Sequence, residues 1–148
     1  MIQEFVKAWD ANREVLREYI RTHEQKEYNT YVELVKILFE VVINPYFKDD
    51  FCNPSYNIEA IHVIDDGDYQ GSQLFIIPSN DYQPSPYKYV WTYCSYGSCS
   101  GCDTLLAISG YDNGLPSEEQ INGYMILLLH LLQRCKYLIG YDEWRNED

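Results

Sequence analysis

Basic residues are scarce in this chain. Its 148 residues hold 11 Lys and Arg against 23 Asp and Glu, a formal net charge of −12. Residues 1–56 carry seven bases and ten acids, whereas residues 57–148 carry four and thirteen. Between residues 57 and 133 Lys88 is the one base, against nine carboxylates. Proteins bind phosphate backbones by displacing counterions with Lys and Arg, so this composition speaks against direct nucleic-acid binding. A basic protein is the better-matched partner.

Long apolar runs are also missing. The most apolar stretch, MILLLHLL at 125–132, is far short of the roughly 20 residues of a membrane-spanning helix. The opening MIQEFVKAWD is charged and amphipathic and has no apolar signal-peptide core. The expectation is a cytoplasmic protein with no membrane contact. No phosphate loop occurs, since GSCSG at 97–101 lacks both the lysine and the long helix that should follow it. The acidic group Asp65, Asp66 and Asp68 resembles a fragment of a calcium loop, but the spaced ligand set ending in Glu is absent. Histidines number three, His23, His62 and His130, and no spacing encodes a Cys–His pair. His130, inside the most apolar helix, reads as a hydrogen-bonded core or groove residue. The five cysteines are odd in number and read as reduced thiols rather than a disulfide framework.

What is present supports a folded chain: 46% hydrophobic and 16% aromatic residues, enough for a core in a single domain spanning 1–148. The pattern predicts an α+β fold. An N-terminal helical hairpin occupies 1–44. Its first helix buries Ile2, Phe5, Val6, Trp9, Leu16 and Ile20 at helical spacing and ends near His23. Its second opens at Thr30, where T-x-x-E forms a capping box with Glu33, and buries Val32, Val35, Leu38, Phe39 and Val42. Asn44-Pro45 should stop it, because the residue before proline is pushed out of helical geometry. Residues 57–103 read as antiparallel strands and a cysteine-containing turn. Strands at 58–64, 74–77 and 87–93 make a three-stranded antiparallel meander, with Gly67 expected at positive φ in the first connection. A long buried C-terminal helix at 117–139 opens on Ser117 with Gln120 completing a capping box, and Gly140 closes it. Its apolar centre is expected to pack on the sheet. Residues 141–148 (YDEWRNED) form an acidic tail.

The stretch YCSYGSCSGC at 93–102 concentrates three cysteines, Cys94, Cys99 and Cys102, spaced C-x4-C-x2-C. That spacing and the following SGYDNGLPSEEQINGYMIL resemble the cluster loop of plant-type ferredoxins. The resemblance implies a two-iron two-sulfur cluster and a fourth thiolate. Cys135 is the nearest candidate for it, although on the helix face of Leu128, Leu131 and Leu138 it reads as a core thiol. Cys99-x2-Cys102 also has the form of a redox pair opening a short helix from Asp103, which gives a thiol-dependent redox protein as a further alternative. The same segment reads without chemistry as a structural turn over Tyr96, Gly97, Ser98, Cys99, Ser100, Gly101, Cys102 and Asp103. The glycines allow close backbone approach, and Asp103 caps the next turn.

DYQG at 68–71, followed by YGSCSGCD at 96–103, resembles a set of small phage and prophage proteins. In that resemblance the shared word begins after Cys94, and Asp68, Tyr69 and Gln70 pack against the turn at 96–103. Fifteen tyrosines, nine of them beyond residue 80, add adaptable contact area. Alternation places Tyr87, Tyr89, Trp91 and Tyr93 on one strand face, where the plain alternative is packing on the long helix. Together these features point to a non-enzymatic inhibitor that binds a basic host protein, of the anti-restriction or anti-CRISPR kind. Its candidate contact residues are Asp65, Asp66, Asp68, Tyr69, Tyr87, Tyr89, Asp112, Glu118 and Glu119.

Overall fold

The structure is a computed structural model and describes residues 1–48, 55–68, 70–80, 89–98 and 103–138. Helix α1 spans Gln3–Thr22 and buries Phe5, Ala8, Trp9, Leu16 and Ile20, the stripe expected from the 3.6-residue period. Val6 is half-buried at its edge.

The second helical segment begins at the expected cap, though with Glu33 3.7 Å from Lys36 Nζ and not closing the reciprocal half of the box, and it does not stop as expected. Thr30 Oγ1 accepts from Glu33 N at 3.3 Å and opens α2, Tyr31–Ile37. The helix then widens into a π-helix over Leu38–Ile43 and continues as α3, Asn44–Phe47. It therefore runs through Pro45. In an α register the proline ring strikes the carbonyl four residues back; the wider π turn just before it opens room there. Leu38, Phe39, Val42 and Ile43 are all buried along it. Val42 O accepts from Asn12 Nδ2 at 2.9 Å, which ties this irregular stretch to α1. Phe5, Phe39 and Tyr56 meet edge to face, with ring centroids 5.4 to 5.9 Å apart.

The sheet has four antiparallel strands, not three, in the order β1-β2-β3-β4. These are β1 His62–Asp65, β2 Gly71–Pro78, β3 Tyr89–Tyr96 and β4 Lys136–Tyr137. The first is shorter than expected because Ile58–Ala60 form a 3-10 turn, capped by Asn57 Oδ1 accepting from Glu59 N at 3.1 Å. The third runs on to Tyr96, so Cys94 lies within a strand. The fourth takes the edge of β3, pairing Tyr137 with Val90 and Lys136 with Trp91. It ends the long helix early: α5 spans Glu118–Gln133 and the chain turns into β4. Gly140 and the tail at 141–148 lie outside the described residues.

Phe75, Ile77, Val90, Thr92 and Cys94 form the inner face of the sheet and are buried. Thr92 Oγ1 donates to Leu131 O at 2.7 Å, fastening β3 to α5. The helix was expected to lie on the sheet, but it runs mainly along α1, with α4 (Thr104–Ser109) beside it, and reaches β3 at its C-terminal end. One connected core holds residues from the helices and from the sheet. Among the described residues no helix is long and apolar enough to cross a membrane.

Candidate functional site

The outer face of the sheet carries apolar side chains that lie outside the core formed by the described residues. Cross-strand register sets its rows: Ile64, Leu74 and Tyr93 in one, His62, Ile76, Trp91 and Lys136 in the next, then Pro78 and Tyr89. Side chains of one row point to one face. Ile64 is 45% and Tyr93 41% exposed, and Leu74, Ile76, Tyr89 and Trp91 are half-buried. None of these joins the core cluster, even at its margin. Tyr89, Trp91 and Tyr93 do share a face, as alternation predicts, and it is the face turned away from α5. Trp91 and Tyr93 pack ring to ring at 5.8 Å. Arg134 lies over the Tyr93 ring at 5.3 Å and donates to Tyr93 O at 3.3 Å. Tyr87 lies outside the described residues.

Charge is unevenly placed around this face. At the β4 side stand Arg134 and exposed Lys136. At the β1–β2 turn stand Asp65, Asp66 and Asp68, all exposed. Asp65 is the best organised of the three. Its carboxylate accepts a short hydrogen bond from Tyr96 Oη, one from Gln73 Nε2 at 3.0 Å and one from Gly67 N at 3.1 Å. The Tyr96 bond, then those of Gln73 and Gly67, hold the Asp65 carboxyl below its ordinary value. The same bond, then burial, pushes the Tyr96 phenol up to about 12. Asp66 Oδ1 accepts from Ser72 N at 2.6 Å.

The glycines of this turn act through space rather than through φ. A Cβ on Gly67 would sit 2.1 Å from Gln70 O, and one on Gly71 2.7 Å from Asp66 Oδ1. Among the described glycines Gly110, at the end of α4, has positive φ, at 56°. Among the described residues the first connection meets the end of β3 through the bond of Tyr96 to Asp65; Asp68 and Gln70 are exposed, and residues 99–102 of the turn they were expected to meet lie outside the described residues. Tyr69 lies outside the described residues.

Asp103 anchors the far side of the cysteine turn. It is 7% exposed. Oδ1 accepts from Tyr31 Oη at 2.7 Å and Leu106 N at 3.2 Å, and Oδ2 accepts from Gly97 N at 3.0 Å. Tyr31 Oη in turn accepts from Leu105 N at 3.1 Å. One carboxylate thus caps α4, closes the turn onto Gly97 and joins both to α2. Burial first, then the Asp103 bond, pushes the Tyr31 phenol up. Ser98 is exposed, and Cys99, Ser100, Gly101 and Cys102 lie outside the described residues.

Two cysteines can be placed. Cys94 and Cys135 are buried, and burial pushes each thiol up to about 12. Cys135 Sγ donates to Leu131 O at 3.4 Å. Without a ligand, burial thus disfavours the thiolate form of both. Among the described residues no group of three or more His, Cys, Asp or Glu could hold a metal ion. His130 is exposed on α5, not a core or groove residue.

The remaining acidic candidates sit elsewhere. Glu118 accepts from Arg21 through both carboxylate oxygens, at 3.1 and 3.2 Å. Asp112 Oδ2 accepts from Gln120 Nε2 at 3.0 Å, and Glu119 is exposed. Glu118 thus ties the start of α5 to α1 and Asp112 ties the preceding loop to Gln120, while Asp65 and Asp66 bond to the sheet and its turn. A groove of about 350 Å³ between α1 and α5 is lined by Trp9, Arg13, Arg17, Met125, Ile126 and Leu129 among others, and by none of the predicted contact residues.

No family model, no curated protein and no solved structure matches this chain. The outer sheet face offers rigid aromatic and aliphatic area on regular backbone, bounded by carboxylates at one end. Alternation in the sequence puts Tyr89, Trp91 and Tyr93 on one face, whereas Ile64, Leu74 and Ile76 join them through cross-strand register, which no local pattern carries.

Proposed function

We propose that this chain is a non-enzymatic binding protein that covers a basic surface of a partner protein and so inhibits it. The observation that carries this reading is the outer sheet face, which no other described element covers: Ile64, Leu74, Ile76, Tyr89, Trp91 and Tyr93 lie outside the core, with Asp66 and Asp68 at one end. Flat aromatic area with a charged margin is the usual make-up of a protein contact. The net charge of −12 favours a cationic partner and speeds its approach. Such a partner is a host defence or nucleic-acid-processing protein, met in the host cytoplasm by a phage-encoded inhibitor, with the anionic protein standing in for nucleic acid.

The test is affinity capture from host lysate with wild-type protein and with Trp91→Ala and Tyr93→Ala variants. A basic partner should be retained at low salt, released as salt rises, and lost from the variants. Retention that is indifferent to salt and to both substitutions would remove this reading.

A further inference from the structure

The sheet has two edges of opposite character. At one edge is β4, with two residues, Lys136 and Tyr137, next to Arg134. At the other is β1, His62–Asp65, exposed along its whole length. Its backbone orientation follows from the register. Asp66 N donates to Ser72 O at 3.2 Å, which continues the β1–β2 pairing of Asp65 with Gln73. In an antiparallel ladder, residues alternate between bonding inward and pointing outward. Ile64 and His62 therefore bond to β2, while the N–H and C=O groups of Val63 and Asp65 point away from the sheet. Among the described residues nothing bonds to them. Natural edges are blunted by short length, charged side chains, proline or a bulge. The HVID of β1 has no proline and its register with β2 is unbroken, and its one carboxylate, Asp65, repels an anionic strand but not a cationic one.

We infer that the β1 edge is a strand-addition site that takes an extended basic segment of a partner as a fifth strand. Val63 and Asp65 supply the outward donors and acceptors. Val63, 38% exposed, and Ile64, 45% exposed, stand on opposite faces and would flank alternate side chains of the incoming strand. Charge selects both the edge and the occupant. A cationic strand meets Asp65, Asp66 and Asp68 at β1, but Arg134 and Lys136 at β4. A second copy of this chain brings its own charge of −12 and is repelled. This inference rests on the proposed binding role and adds how the partner is held.

The probe is a capped peptide of alternating lysine and valine, compared with the same peptide N-methylated at alternate backbone amides. Calorimetry should show binding of the first and about tenfold weaker binding of the second, the factor expected for one or two lost hydrogen bonds. Val63→Pro removes an outward donor without touching the β1–β2 ladder. Proline is tolerated where the edge N–H faces solvent, so its circular dichroism and melting should match wild type while peptide affinity falls by a similar factor.

Equal affinity for the two peptides, no binding of either, or unchanged affinity in a folded Val63→Pro variant would overturn the inference. So would self-association of the wild-type protein that this variant abolishes, because the occupant would then be a second copy. A lysate partner that binds wild type and Val63→Pro equally overturns edge pairing and leaves the proposed function standing. Peptide pairing without any basic lysate partner does the reverse.

Discussion

Asp103 shows how much one side chain can hold. Its two oxygens serve three donors from three segments, Tyr31, Gly97 and Leu106. Asp103→Ala leaves buried donors without partners and removes a helix cap, at about 2–4 kcal/mol by urea unfolding. Asp103→Asn has a single carbonyl oxygen, so it can satisfy either Gly97 or the Tyr31 and Leu106 pair, and should cost about 1–2 kcal/mol. The capping role was legible from Asp103 standing before TLLAI. Tyr31 was not, because 72 residues separate it from its acceptor and nothing in its neighbourhood marks a distant carboxylate.

Asp65 and Tyr96 give a prediction with a defined pH window. Asp65 is held below its ordinary value of 3.8, so its contribution is complete above that value and is lost as pH falls through the lower folded value. Tyr96 is raised from 10.0 to about 12, so its contribution is complete below 10.0 and lost as pH rises through about 12. The pair is therefore at full strength between roughly pH 4 and pH 10. The stability gap between wild type and Tyr96→Phe should be flat across that window and close on either side of it, as measured by denaturant midpoints.

At the level of elements, caps were easier to read than ends. Ser117 Oγ accepts from Gln120 N at 3.2 Å, and Gln120 Oε1 accepts from Ser117 N at 2.9 Å, the reciprocal box that S-x-x-Q announces. Gln120 Nε2 also donates to Ile108 O, Ser109 O and Asp112 Oδ2. Ser117→Ala should cost about 1 kcal/mol, and Gln120→Ala more, about 2 kcal/mol, because several partners lose it at once; thermal melting of the two variants orders them. Ends failed where another element outbid local preference. Residues 134–138 carry a helical pattern, yet Lys136 and Tyr137 gain ladder bonds from β3. Pro45 reads as a stop, yet a π turn lets the helix pass it. Both outcomes are decided by tertiary neighbours that a local reading does not contain.

At the scale of the whole molecule, the α+β class, the C-terminal helix and the common face of Tyr89, Trp91 and Tyr93 were all legible from periodicity. Which face stayed open was not, since that depends on where α5 lies. A charge of −12 on 148 residues also opposes compaction by self-repulsion. Salt shortens the screening length to about 10 Å at 0.1 M. The melting temperature should therefore rise as sodium chloride is raised from low concentration, the opposite of the effect salt has on capture of a cationic partner. A flat or falling melting curve would show that the carboxylates are already neutralised by local partners.

The two described tryptophans divide the molecule optically. Trp9 is 7% exposed and beside Met125 and Leu129, so its emission is blue and follows whether the helices stay together. Trp91 is half-buried on the open sheet, stacked near a tyrosine and close to a guanidinium, so its indole sees solvent and any visitor to that surface. With Trp144 replaced by phenylalanine as well, replacing one or the other leaves a single fluorophore that watches the helices or the open sheet, and the protein carries both reporters without a dye.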